Sequence, residues 1–244
     1  MDTTIEAISL SRLAVAFLPV LVVLAILKIW DNDYKETIYG FVRMLVQLLA
    51  VGYVLVFIFD SDSALLISGI LLIMVFVSSW IALRTVKDSR TALYPSALVS
   101  VAVGGGIVLV VITQAVLQLT PWHSPQYIIP LAGMIFAASM NSLSIAVERM
   151  ESELSRGESY KVALKTALKA ALIPNTNVLF AVGIVSLPGM MTGQILSGTS
   201  PLIAARYQIM VMCMMYAAAG LSASCFLMLM RTRTNVLTKK AADG

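Results

Sequence analysis

Residues 64–83 read Ala-Leu-Leu-Ile-Ser-Gly-Ile-Leu-Leu-Ile-Met-Val-Phe-Val-Ser-Ser-Trp-Ile-Ala-Leu, a run without a single charge. At 1.5 Å per residue a helix of this length is about 30 Å long, the thickness of a bilayer's hydrocarbon core. Backbone that crosses lipid must satisfy its own hydrogen bonds, which leaves helices or closed barrels. Barrel strands alternate apolar and polar residues over about ten positions. This run is continuously apolar, so it predicts a membrane-spanning helix.

Stretches of the same kind recur outward from it, at Ala7–Leu27, Ile38–Phe59, Ala97–Leu119, Tyr127–Val147, Ala171–Val185 and Ile203–Met230. Only 12% of the 244 residues are charged and 59% are hydrophobic, whereas a soluble domain carries roughly a quarter charged residues. The expected fold is all-α: a polytopic integral membrane protein of about seven transmembrane helices, forming one domain over 1–244. The span at 171–185 is the shortest, and Pro174, Pro188 and nearby glycines interrupt it. Met1–Glu6 is acidic where a signal peptide is basic, so the first span is expected to stay in the mature protein.

The basic residues sort by side. Lys28 and Lys35 follow the first span; Arg84, Lys87 and Arg90 follow the third. Arg149, Arg156, Lys161, Lys165 and Lys169 follow the fifth, and Arg231, Arg233, Lys239 and Lys240 form the tail. The alternate loops, Asp60–Ser63, Thr120–Gln126 and Ser186–Pro201, hold none. Excess Lys and Arg marks cytoplasmic loops, so the N-terminus is expected outside and the C-terminus in the cytoplasm. The net charge of +4 is a topology signal, and no aromatic-basic pattern accompanies it to imply nucleic acid.

Several chemistries are excluded. The chain has no Gly-x-x-x-x-Gly-Lys-Ser/Thr phosphate loop and no Gly-x-Ser-x-Gly elbow. Two cysteines and one histidine cannot build a Cys/His metal cage. Cys213 and Cys225 share one predicted helix about 18 Å apart, too far for a disulfide. His123 lies in an outer loop between Trp122 and Ser124, where a solvated side chain is the ordinary reading.

Polar residues within spans are costly and therefore informative. Arg43 and Gln47 lie four apart, on one helix face; Asn141 closes the fifth span; Asn175 and Asn177 follow Pro174; Arg206 and Gln208 enter the last span. They read either as a polar path between helices or as interhelical hydrogen bonds, with arginines near span ends snorkelling to the interface. The uncharged outer segment Ser186–Pro201, with Pro188, Gly189, Met190, Met191 and Gln194, reads as a re-entrant turn or outer gate. Methionine sulfur binds soft metals, although most of the 14 methionines are expected in packing.

The one sizeable polar insertion, Glu148–Lys169, reads as two short helices. Gly157 can end the first and Ser159 begin the second. Leu164, Leu168 and Leu172 make one stripe of the second helix, and Lys161, Lys165 and Lys169 another. Such a helix lies against the membrane or a partner.

The block Ser186–Gln194, Ser-Leu-Pro-Gly-Met-Met-Thr-Gly-Gln, follows Ala-Ala-Leu-Ile-Pro at Ala170–Pro174 and precedes Arg-Tyr-Gln-Ile-Met-Val at Arg206–Val211. Upstream lie Arg-Met-Leu-Val-Gln-Leu-Leu-Ala-Val-Gly (Arg43–Gly52) and Gly-Met-Ile-Phe-Ala-Ala-Ser-Met-Asn (Gly133–Asn141). Together these resemble the iron-export ABC transporter permease family, which includes relatives implicated in plant aluminium tolerance. The resemblance implies a multi-pass plasma (inner) membrane permease, not itself an enzyme, with no cofactor of its own. A separate cytoplasmic ABC subunit would bind ATP, two permease chains would pair, and metal ions would be the cargo.

The resemblance also implies a coupling segment over 148–170. Glu151 and Gly157 keep the Glu-to-Gly spacing of the importer coupling motif, and Leu172-Ile173-Pro174 supplies a similar ending; Ser152 and Glu153 depart from its alanines. Glu151, Glu153, Gly157, Lys161 and Lys165 are the expected ATPase-coupling residues. Arg43, Gln47, Asn141, Asn175, Asn177, Gln194 and Gln208 are the expected path, with Pro188, Gly189, Met190 and Met191 as the outer gate. The competing readings are a carrier driven by an ion gradient, suited to helices broken near Pro174 and Pro188, and a non-transporting membrane scaffold.

Overall fold

The computed structural model describes residues 8–61 and 63–232. Met1–Glu6, Asp62, Arg233, Lys239 and Lys240, used above for topology, lie outside the described residues. The chain divides into two compact units, residues 1–61 and 62–244.

The first unit begins with α1 (Leu10–Val15), where Ser9 accepts a hydrogen bond from the Arg12 N–H and so caps the helix. The chain bends at Ala16–Phe17 and resumes as α2 (Leu18–Ile29), with a proline in its first turn, where the missing N–H has no helical partner to lose. A short turn leads to α3 (Tyr34–Phe59), capped by Asp33 accepting from the Glu36 N–H at 3.3 Å. Phe17 packs edge-on against Phe41.

The second unit holds the core. Ser63 caps α4 (Ala64–Ala82), and a single 3-10 turn at Lys87–Ser89 leads into α5 (Arg90–Val110). The corner between them is pinned by one side chain. The Arg90 guanidinium lies 3.8 Å over the Trp80 ring and donates from Nε and Nη2 to the Trp80 carbonyl, pairing an otherwise orphaned carbonyl at the end of α4. Past α5 the helix loosens into one π turn at Val111–Val116.

Next comes α6 (Pro125–Ser155), the central helix, which packs against α4, α5 and two later helices, α7 (Tyr160–Ala181) and α9 (Pro201–Leu229). Between α7 and α9 lies the short α8 (Gly189–Leu196), resting on α9.

The helices approach closely because their facing residues are small. Ala163, Ala167 and Ala171 form the fully buried stripe of α7, and Ala204, Ala218, Ala219, Ser222 and Ala223 are buried along α9. At Gly104 of α5 the approach is extreme: a Cβ there would stand 2.6 Å from the Ser222 amide nitrogen and 2.8 Å from its Cα. Ser222 Oγ donates to Ser139 Oγ of α6 at 3.0 Å, and Ser139 Oγ donates to the Ala218 carbonyl at 3.4 Å. Three helices therefore meet at one buried point, and Ser142 Oγ bonds the Ala171 carbonyl to bring in the fourth.

Among the described residues six helical stretches are long and apolar enough to cross a membrane: Leu10–Ile29, Tyr34–Phe59, Ala64–Ala82, Lys87–Val116, Pro125–Ser155 and Pro201–Leu229. They match six of the seven predicted runs within a few residues at most ends. The seventh run differs. The amphipathic helix and the span at 171–185, expected as separate elements, are one continuous helix, α7. Hydropathy changes at Lys169, but the alanines there favour helix on both sides of the change. Pro174 sits inside α7, and the break falls later, at Val182–Gly183, where Gly183 takes φ +83°. Likewise Glu148–Ser155, expected as a short separate helix, is the end of α6. The buried stripe of α7 is its alanines, while Leu164, Leu168 and Leu172 are half-buried.

The close contact makes a test. Gly104→Ala must drive α5 and α9 apart and is expected to cost at least about 2 kcal/mol, lowering the apparent Tm in detergent by several degrees. Gly106→Ala, two residues away with open space around its Cα, is expected to be neutral or stabilising by up to about 1 kcal/mol.

Candidate functional site

The end of the second unit where α6 begins and α7 stops holds a cavity of about 580 Å³. The first three turns of α6 supply Gln126, Tyr127, Pro130 and Met134; α8 supplies Met190 and Gln194; the start of α9 supplies Ile203, Tyr207 and Met210. The cavity exists because α8 is carried away from α6 by the preceding turn. Gly183 N–H bonds back to the Ser186 carbonyl, and Pro188 then caps α8. Met190 and Gln194 are four apart and so share one face of α8. Gln194 Oε1 is buried there with no hydrogen-bond partner.

A buried unpaired amide oxygen is costly, and Gln194 stands in the wall of a space lined by three thioethers, two phenols and Thr199. Among the described residues no carboxylate lines it, and no group of three His, Cys, Asp or Glu side chains could hold a metal ion. These are neutral, weak donors. They can replace part of a cation's hydration shell, with thioethers favouring softer ions, without holding it against release.

On the other side of α8 lies a more apolar cavity of about 490 Å³, lined by Leu179, Leu187, Met191, Met212 and Cys213. Gln208 faces it, 4% exposed, with Oε1 unpartnered. The expected gate residues thus separate: Met190 belongs to the first cavity and Met191 to the second, while Pro188 and Gly189 start the helix between them.

The other expected path residues are spread along the helices. Arg43 and Gln47 lie one turn apart on α3 in the first unit, half-buried and exposed respectively. Asn141 is exposed on α6, and Asn175 and Asn177 lie half-buried and exposed on the C-terminal half of α7. Pro130, Met134, Ala137 and Asn141 follow helical spacing, so one stripe of α6 runs from the cavity along the helix to Asn141. Reading the sequence singled out Met190 and Gln194 but missed Tyr127, Met134, Tyr207 and Met210. The tyrosines carry a weak signal, since amphipathic rings gather at span ends.

At the opposite end α6 turns into α7. Gly157 adopts φ +82°, its N–H bonds the Leu154 carbonyl and the Glu158 N–H bonds the Glu153 carbonyl. This is the Schellman closure for which glycine is suited. Glu153 is buried, with Oε1 2.5 Å from Arg149 Nη2 and 4.0 Å from Arg156 Nη1. Glu151 is half-buried on the same turn. Lys161 and Lys165 line a basic groove with Tyr160, Leu164, Met228 and Arg231.

Apolar helices of spanning length, packed by small residues around a polar-tipped cavity, define a polytopic α-helical membrane protein. The sequence profile described as Uncharacterised protein family (UPF0014) matches residues 10–234, and the chain belongs to that family. Among its relatives, the UPF0014 membrane protein slr1647 of Synechocystis is 35% identical over 70% of this chain and 71% of its own length. The Probable iron export permease protein FetB of Escherichia coli is 35% identical, over 79% and 80%. Protein ALUMINUM SENSITIVE 3 of Arabidopsis thaliana is 32% identical, over 83% and 80%. No solved structure matches the chain significantly.

Glu153→Ala removes the carboxylate that binds two arginines at the end of α6. It is expected to cost about 1.5 kcal/mol, reduced from the fully buried case because Arg149 reaches solvent. Glu148→Ala, exposed one turn earlier, is expected to stay within about 0.5 kcal/mol of the parent. Chemical unfolding of both variants in one detergent compares them.

Proposed function

We propose that this chain is the permease subunit of an ABC transporter that exports metal ions, using ATP hydrolysed by a separate cytoplasmic subunit. The reading is carried by similarity, over four-fifths of its length, to a protein named as an iron export permease. The cavity beside α8 supports it, because Gln194 and three methionines make a way-station that binds a cation and lets it go. The absence of lining carboxylates favours fast passage over storage.

In this reading α7 with α8 completes a seventh crossing of the plasma membrane, with the N-terminus outside and the C-terminus in the cytoplasm. Two permease chains pair, so that path residues of the second unit on each chain, Asn141, Asn175, Asn177 and Gln208 among them, line a shared route. The α6–α7 turn is the coupling element. Gly157 and the Glu153 ion pairs make the helix end stiff, and Glu151 beside them meets the ATPase. ATP does work on the permease only if that contact differs between nucleotide states.

The test is co-purification with a candidate ABC ATPase, followed by ATP hydrolysis and metal flux in proteoliposomes with and without iron. The expected result is a stable complex whose hydrolysis rises with iron. Glu151→Ala is expected to lose that response while still folding, and Gln194→Leu to lower flux about tenfold with the complex intact. Failure to form a complex with any candidate ATPase, together with flux driven by an ion gradient alone, would overturn the proposal in favour of a secondary carrier. Partner binding with no flux defect in any variant would favour a scaffold.

A further inference from the structure

The groove between the start of α7 and the end of α9 is built differently from the two cavities beside α8. Its volume is about 870 Å³, and it is lined by Lys161, Lys165 and Arg231 together with Tyr160, Leu164 and Met228. Among the described residues no carboxylate lines it. Lys161 and Lys165 are one helical turn apart, about 6 Å along the axis, close enough for both ammonium groups to meet one phosphate. Neither is paired with a carboxylate among the described residues. The Tyr160 hydroxyl donates to the Leu227 carbonyl, which ties the first turn of α7 to the last turn of α9 and fixes the walls of the groove.

We propose that this groove is a binding site for an anionic phospholipid, with the phosphate held by Lys161, Lys165 and Arg231 and an acyl chain laid along Leu164 and Met228. Charge alone would equally suit an acidic protein surface. The apolar side chains in the same wall decide between them, because an amphipathic ligand uses both halves of the groove. Its place supports the same occupant: α9 is a spanning helix, and its last turn lies at the membrane boundary, where basic pockets between helices take lipid head groups. The proposal is independent of the ATPase reading and assigns Lys161 and Lys165 to lipid.

The full chain in neutral detergent is titrated with phosphatidylglycerol, and separately with phosphatidylcholine, with bound lipid counted by native mass spectrometry. The parent is expected to retain phosphatidylglycerol in preference. The double variant Lys161→Gln/Lys165→Gln is expected to bind it about thirtyfold more weakly, at roughly a factor of five per lysine. Lys169→Gln, on the same stripe but outside the groove, should stay within about twofold of the parent. Both lysines are exposed, so an unchanged circular dichroism spectrum and Tm without lipid confirm that the double variant folds.

The proposal is overturned if phosphatidylcholine binds as well as phosphatidylglycerol, if the double variant binds like the parent, or if Lys169→Gln weakens binding as much. Full displacement by inorganic phosphate at matched concentration would also overturn it, by showing that the acyl chain adds nothing. A double variant that loses a co-purifying ATPase yet keeps its lipid marks the groove as the protein's docking surface instead.

Discussion

The second unit depends on the near-contact of two backbones, at Gly104 of α5 and Ser222 of α9. In lipid there is no hydrophobic force to drive helices together, since acyl chains are as apolar as leucine. What remains is van der Waals contact, which falls off steeply with distance, and hydrogen bonds between side chains. The serine bonds at Ser139, Ser142 and Ser222 are each worth on the order of 0.6 kcal/mol by comparison with other membrane proteins. The larger part of the association therefore lies in close packing, which the glycine and the alanine stripes permit. Once α5, α6 and α9 are locked at that point, α7 has a groove to fill and α8 a surface to rest on.

Seen this way, the function-bearing parts are those that the tight junction leaves alone. Its residues sit mid-helix and have little free volume. The cavities open where helices diverge: at one end, where α7 stops and α8 crosses over, and at the other, where α7 begins against the last turn of α9. A stiff centre with space at both ends is what a molecule needs if one end is to meet cargo and the other is to meet whatever moves it.

The spans were legible because the bilayer imposes a length and forbids unpaired backbone, and both demands are written residue by residue in 64–83 and its counterparts. The Gly157 cap was legible for the same local reason, since only the left-handed conformation was at issue. The continuity of α7 was not, because hydropathy changes sharply at Lys169 while helix propensity does not, and the backbone follows propensity. The π turn at Val111–Val116 leaves no mark in an apolar run. Of the cavity beside α8, Met190 and Gln194 could be read because they stand in an uncharged, glycine-rich segment between apolar spans. Met134 and Met210 could not, because each looks like ordinary packing until α6, α8 and α9 are brought together.

One feature of the core bears on how the protein responds to its surroundings. Among the described buried residues Glu153 is the sole acidic or basic side chain, and it lies at the end of α6, next to the turn. The junction itself is made of glycine, alanine and serine, none of which titrates or attracts counterions. Acidity and ionic strength can therefore act on the rims of this molecule but have no purchase on its middle. The middle instead answers to the lateral pressure of the surrounding lipid, which sets how firmly the small-residue faces are pushed together.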